Sequence, residues 1–233
     1  MLRIQELKKY AFRRRLRNLE FIRKDYLQDV ILFIIYTQIY PHALFKGGTA
    51  IWKLLKGERF SQDLDLEIDK KVKFALKIVE NLTLWGFSVA LLKEKISENA
   101  YYTKLRIEAK NFGSTEISIE AIFKQKRGQK IIFNSPYPDI PNFDVYSLSL
   151  VELAKEKLGA IIGRDKPRDV FDLYFLLKNY NITLKYSNID ELEKKIEAKR
   201  ENWSTLKLFL IGSLPTFDYV KSYILSKINS ESQ

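Results

Sequence analysis

The stretch from Phe45 to Leu66 constrains this chain more than any other. It reads Phe45-Lys46-Gly47-Gly48-Thr49 and, after a short helical segment, Arg59-Phe60-Ser61-Gln62-Asp63-Leu64-Asp65-Leu66. From Asp63 to Ile68 polar and apolar residues alternate strictly, which is the period of a half-buried strand. Asp63, Asp65 and Glu67 therefore point to one side, and Leu64, Leu66 and Ile68 point into a core. Two carboxylates at i and i+2 repel each other unless a cation sits between them. Mg2+ takes oxygen ligands and commonly uses one or two carboxylates together with substrate phosphates. Gly47 and Gly48 supply the other half of such a site. Without a Cβ, their backbone N–H groups can approach a phosphate at the positive end of the helix that follows.

Composition narrows the chemistry. The chain of 233 residues has no cysteine, which excludes disulfides, zinc thiolates and thiol nucleophiles. His42 is the single histidine, so a histidine-based triad or metal site would rest on it alone. No apolar run approaches the ~20 residues of a membrane span. Arg13, Arg14 and Arg15 are not followed by the apolar segment of a secretory leader. A cytoplasmic protein without membrane association is the expectation. A formal charge of +11 favours a polyanionic partner.

Residues 1–24 carry nine basic side chains against Glu6 and Glu20 and read as a basic amphipathic helix, with a second, more buried helix from Lys24 to Tyr40. A short strand, Ala43 to Phe45, leads into the glycines. After the acidic strand come a helix at about 71–84 and strand-like stretches over 87–92, 101–107 and 116–123. In the last of these Glu116 and Glu120 share a face. A two-metal phosphoryl-transfer site needs a third acid. Glu120 is the candidate, and Glu116 and Glu108 are the alternatives. Three of the six prolines fall in 134–143, which places a domain boundary after residue 140. The remainder, 141–233, reads as helical. Ser149 to Glu152 forms a capping box. Lys157 falls on the apolar stripe of that helix, and Arg164 lies about 10 Å further along it. Two cations so spaced suit a triphosphate, and a snorkelling lysine with a terminal arginine suits the same pattern. Pro167 opens the next helix, on which Asp169 and Asp172 face inward. An Arg168–Asp172 pair at i,i+4 is one way to satisfy the second of them.

Four stations in this order resemble the AbiEii/AbiGii-type toxins of the nucleotidyltransferase (polymerase-beta-like) superfamily. They are Lys24-Asp25-Tyr26, Gly47-Gly48 with Arg59-Phe60-Ser61-x-Asp63-x-Asp65, Lys157-Leu158-x-Ala160-x-x-x-x-Arg164, and Pro167-Arg168-Asp169-x-x-Asp172-Leu173. The resemblance implies an α+β fold: a mixed-sheet nucleotidyltransferase core over 1–140 and a helical C-terminal domain over 141–233. It implies a Mg2+-dependent toxin that transfers a nucleotide from an NTP to an acceptor such as tRNA, with an antitoxin as cognate partner. Gly47, Gly48 and Ser61 would hold phosphates, and Asp63 and Asp65 the metal. Lys157 would contact the NTP phosphates, and Asp169 would act as an orienting or basic group. γ-Phosphotransfer from the same site, and a nucleotide- or RNA-binding module without chemistry, are the alternatives.

Overall fold

The computed structural model describes residues 2–110, 112–124 and 128–229, and the chain divides into two units. The first comprises residues up to Lys56 together with Ser61–Ser147, and the second comprises Gly57–Phe60 and the chain from Leu148 onward.

The first unit is built on a seven-stranded mixed sheet. Its strands are β1 (Leu44–Lys46), β2 (Leu64–Ile68), β3 (Ser88–Ile96), β4 (Ala100–Ala109), β5 (Gly113–Phe123), β6 (Gln129–Phe133) and β7 (Phe143–Ser147). They lie in the order β3-β4-β5-β2-β1-β7-β6. β2 runs parallel to β5 and antiparallel to β1, which in turn runs parallel to β7. Because β7 pairs with β1 in the middle of this order, the first unit extends to Ser147, beyond the expected boundary after residue 140. The prolines mark a loop within this unit, since proline interrupts local structure without ending a domain.

Alternation along β4 shows how the sheet is buried. Tyr101, Thr103, Leu105 and Ile107 are buried, while Tyr102, Lys104, Arg106 and Glu108 face the other way. The helices α2 (Leu19–Ile34), α3 (Gly47–Leu54) and α4 (Ala75–Leu84) pack against β5, β2 and β3. α2 is buried on most of its surface, Lys24, Asp25, Gln28 and Asp29 included.

The single basic helix expected over 1–24 is interrupted. α1 (Ile4–Ala11) runs into a 3-10 turn at Phe12–Arg14, and Arg15 takes a left-handed conformation with φ of 59°. Asn18 then caps α2, its side chain accepting from the N–H groups of Glu20 and Phe21 at 2.9 and 3.3 Å. α2 continues as a π-helical turn, Ile35–Ile39, ahead of Pro41.

The second unit is helical, with α5 (Leu150–Gly163), α6 (Pro167–Asn179), α7 (Ile189–Glu197), a 3-10 segment at Trp203–Leu208 and α8 (Phe217–Lys227). Ser149 and Glu152 form the capping box of α5. Pro167 occupies the first turn of α6, where its missing N–H costs nothing. The short segment Gly57–Phe60 belongs here because Arg59 bridges Leu210, and the Phe60 N–H donates to the Phe209 carbonyl at 2.8 Å. A small two-stranded pairing joins β8 (Leu184–Lys185) to β9 (Ile228–Asn229). Among the described residues, no helix is long and apolar enough to cross a membrane.

Candidate active site

In the first unit the candidate residues are assembled by α3 and the chain entering β2. Gly47 begins α3 with φ of +74°, a conformation that side-chain-bearing residues rarely adopt. A Cβ at Gly47 would stand 2.1 Å from Oδ2 of Asp65, so only glycine lets that carboxylate lie against the backbone. Gly48 and Thr49 follow in the first turn of α3, whose N–H groups have no partner within the helix and sit at its positive end. The buried Thr49 hydroxyl donates to the Asp63 carbonyl and ties the bend before β2 to α3. Gln28 of α2 donates to the carbonyl of the buried Ser61 at 3.0 Å, and Lys24 donates to the side chain of Gln62 at 2.7 Å. The Ser61-Gln62-Asp63 segment is thus gripped from two helices.

Register places the acids. Lys46 opposes Asp65 across β1 and β2, Asp65 opposes Glu120 across β2 and β5, and Glu120 opposes Tyr102 across β5 and β4. Cross-strand partners project to the same face, so Asp65 and Glu120 are immediate neighbours on it. Asp63, just ahead of β2, is half-buried, as is Asp65, and Glu120 is exposed. Glu67, two residues beyond Asp65, is buried in an ion pair with Lys46 at 2.6 Å. The alternatives to Glu120 are otherwise engaged: Glu116 pairs with Lys104 at 2.5 Å and with Arg106 at 2.9 Å, and Glu108 accepts from the Ser114 hydroxyl at 2.9 Å.

Among the described residues, no three acidic, cysteine or histidine side chains converge as a ready-made metal cage. The donor set fits a different arrangement. Asp63 and Asp65 are hard oxygen donors at the start of one strand, beside the positive end of a helix, and Mg2+ is commonly held by such a pair together with substrate phosphates. Glu120 lies beside Asp65 by register, without closing a three-carboxylate cage.

The second unit holds the other candidates. Lys157 on α5 is buried and donates to Asp172 at 2.7 Å and to Asp169 at 3.3 Å, both on α6. Arg164 clamps Asp169 with two bonds of 2.8 Å, and Arg59 clamps Asp172 with two more of 2.8 Å. Burial pushes both carboxyls up, and the cations outweigh it. Arg59 and Lys157 hold Asp172 well below the usual carboxylate range, and Arg164 and Lys157 hold Asp169 below it. Lys157 is therefore a buried, paired cation rather than a snorkelling one. Asp172 is satisfied by Arg59 from the Gly57–Phe60 segment rather than by Arg168 on its own helix.

Sequence reasoning missed a further cluster, in the first unit. Asp25 and Asp29 are fully buried on α2. Lys53 of α3 donates to Asp25 at 2.8 Å and to Asp29 at 2.5 Å, and Arg14 reaches them at 2.7 and 3.2 Å. Trp52 and Tyr137 each add a bond to Asp25 at 2.8 Å, and Ser135 adds one to Asp29 at 2.7 Å. Burial pushes Asp25 up, and Arg14 and Lys53 reverse this and hold it well below its ordinary value. The available signal was two aspartates at i,i+4 on the helix that the sequence reads as the more deeply buried one. The cluster anchors α3, and with it Gly47 and Gly48, to α2.

Residues 34–222 match the family described as nucleotidyl transferase AbiEii toxin, type IV toxin–antitoxin system. Among solved structures, MenT4, a nucleotidyltransferase toxin from Mycobacterium tuberculosis H37Rv, superposes with a TM-score of 0.63 at 15% identity, covering 97% of this chain and 88% of that one. JHP933 from Helicobacter pylori superposes with a TM-score of 0.59 at 19% identity, covering 89% of each chain. At these identities the two structures show a shared fold. No curated protein matches the sequence.

Proposed function

Because the chain belongs to the AbiEii family of nucleotidyl transferase toxins, we propose that it transfers a nucleotide from an NTP to an RNA acceptor such as tRNA, as the toxin of an AbiE-type pair. Family membership makes it a nucleotidyltransferase of a toxin–antitoxin system, with a nucleotide substrate and an antitoxin partner. The metal, the acceptor and the type of system belong to the proposal. The observation that supports it most is the seat of Asp65, pressed against the glycine that begins α3 and in register with Glu120.

In this reading Gly47, Gly48 and Ser61 hold the NTP phosphates. The acceptor hydroxyl forms a bond to the α-phosphorus while the bond to the β-phosphate breaks, pyrophosphate leaves, and the hydroxyl proton passes to water. Held by Asp63, Asp65 and Glu120, Mg2+ would neutralise charge on the triphosphate and polarise the α-phosphate. Asp169, clamped by Arg164 and held below the usual range, suits orienting Lys157 and Arg164 better than accepting a proton. The rate comes from positioning and charge neutralisation.

The test uses purified protein, Mg2+, total tRNA and each NTP labelled at the α- or the γ-phosphate. Label entering RNA from the α-position alone is the expected outcome, and it names the base. Transfer of γ-label to RNA or protein would make the site a phosphotransferase. Nucleotide binding without transfer from either position would reduce it to a binding module.

A further inference from the structure

The face of the sheet that carries Asp65 and Glu120 does not end at β5. Cross-strand partners share a face, so register extends this one through Tyr102, Lys104 and Arg106 of β4 to Lys95, Lys93 and Ala90 of β3. Tyr102 stands in the same transverse row as Glu120 and Asp65, with Lys95 opposite it on β3. Strands are ~4.8 Å apart, so Tyr102 lies about 10 Å from Asp65 along that row. That is within the reach of one nucleotide.

The chemistry of the extension is distinctive. The buried residues of β4 alternate with Tyr102, Lys104 and Arg106, and the residues of β3 from Ala90 to Ile96 are exposed. Lys93 holds its ammonium 5.7 Å from the centre of the Tyr102 ring. The Tyr102 hydroxyl meets the Ser118 hydroxyl of β5 at 3.2 Å, which fixes the ring's lean. Lys104 and Arg106 share the single carboxylate of Glu116. Lys93, Lys95, Lys104 and Arg106, with the carboxylates of Glu116 and Glu120, border an oriented aromatic ring, and this patch runs directly on to Asp65.

We propose that this β3–β4 face is the seat of the acceptor strand: a base of single-stranded RNA stacks on Tyr102 while Lys93, Lys95 and Lys104 follow its phosphates. The inference rests on the nucleotidyl-transfer reading for the identity of the bound strand. Cations interleaved with an aromatic platform are how single-stranded nucleic acid is held without sequence readout. An acidic protein surface would match the cations and leave the ring unexplained. The NTP base is the competing occupant of the ring.

The experiment measures binding of a fluorescein-labelled single-stranded oligoribonucleotide by anisotropy, and of an NTP by calorimetry, for the wild-type chain and for Tyr102→Ala, Tyr102→Phe and Lys93→Glu/Lys95→Glu. Tyr102→Ala is expected to weaken the oligonucleotide about tenfold, and Tyr102→Phe to keep its affinity, because the ring rather than the Ser118 contact does the stacking. The double charge reversal is expected to weaken it about tenfold or more and to flatten its salt dependence. NTP affinity should stay within about twofold throughout. Wild-type chain that does not bind the oligonucleotide, or variants that bind it normally, would overturn the proposal. So would a loss of NTP affinity in Tyr102→Ala with RNA binding intact, which would assign the ring to the donor base. Oligonucleotide binding that follows the expected pattern in a protein that transfers no label would leave this surface standing and remove the nucleotidyl-transfer reading instead.

Discussion

Gly47 and Asp65 depend on each other. Alanine at position 47 would meet a strained φ and place its Cβ on the Asp65 carboxylate. Gly47→Ala is expected to cost about 1–3 kcal/mol and to displace Asp65, so the melting temperature and the transfer rate should fall together. Asp65→Asn should separate the two readouts. It removes a charge from a half-buried, functional face, so transfer should fall about a thousandfold while stability changes by no more than about 0.5 kcal/mol. A large loss of melting temperature in Asp65→Asn would show the acid to be structural. Both residues stood out in the sequence, one as part of a glycine pair and the other by alternation. Their contact did not, because strand periodicity says which way a side chain points and nothing about which backbone it lies against.

At the scale of elements, two buried ion networks join helices that the sequence presents separately. Lys53→Ala would leave Asp25 and Asp29, among the described residues, with only Arg14 as a cationic partner, and breaking a buried pair in this way costs about 3–5 kcal/mol. Chemical denaturation should show that loss as a lower midpoint with an unchanged slope. In the second unit, Asp169 and Asp172 have folded pKa values below those of the unfolded chain. The unfolded chain therefore binds more protons in acid. The stability these groups contribute is fully present above pH ~4, and it is lost as the pH falls below that towards their folded values. Urea midpoints should accordingly hold from neutral pH down to about 5 and drop below 4. Asp172→Asn should lower the neutral midpoint and flatten the acid limb. A mutant limb as steep as the wild-type one would mean that other carboxylates govern acid unfolding. Lys157 was legible as a misfit on an apolar stripe, but the pairing of its partner Asp172 with Arg59 was not, since Arg59 and Asp172 lie 113 residues apart.

For the whole molecule, a formal charge of +11 sets the expected response to salt. Where transfer uses an RNA acceptor, the KM for RNA should rise steeply between about 50 and 200 mM KCl, and the KM for the NTP should rise far less. Equal salt sensitivity of the two would place the basic surface outside acceptor binding. Charge was readable from composition, and its placement was not. The basic N-terminal stretch expected to form one helix instead breaks at Arg15 and sends Arg14 into the buried aspartates, so that part of its charge serves folding.

The sequence alone determined the pieces governed by short-range rules. These are the alternation of β2, the glycines before α3, the capping box of α5, Pro167 at the start of α6, and the family that their order reveals. Each depends on residues within one or two turns or a single strand, where sterics and backbone hydrogen bonding leave few choices. Only the tertiary structure decided which strand lies beside β2, and hence that Asp65 neighbours Glu120 and that Tyr102 continues the row. It alone gave Lys157, Asp169 and Asp172 their partners, and it kept residues 141–147 with the sheet. Strand order and buried charge pairing are settled by the packing of distant segments, where many partners satisfy the same local pattern and the cost of burying an unpaired charge selects among them.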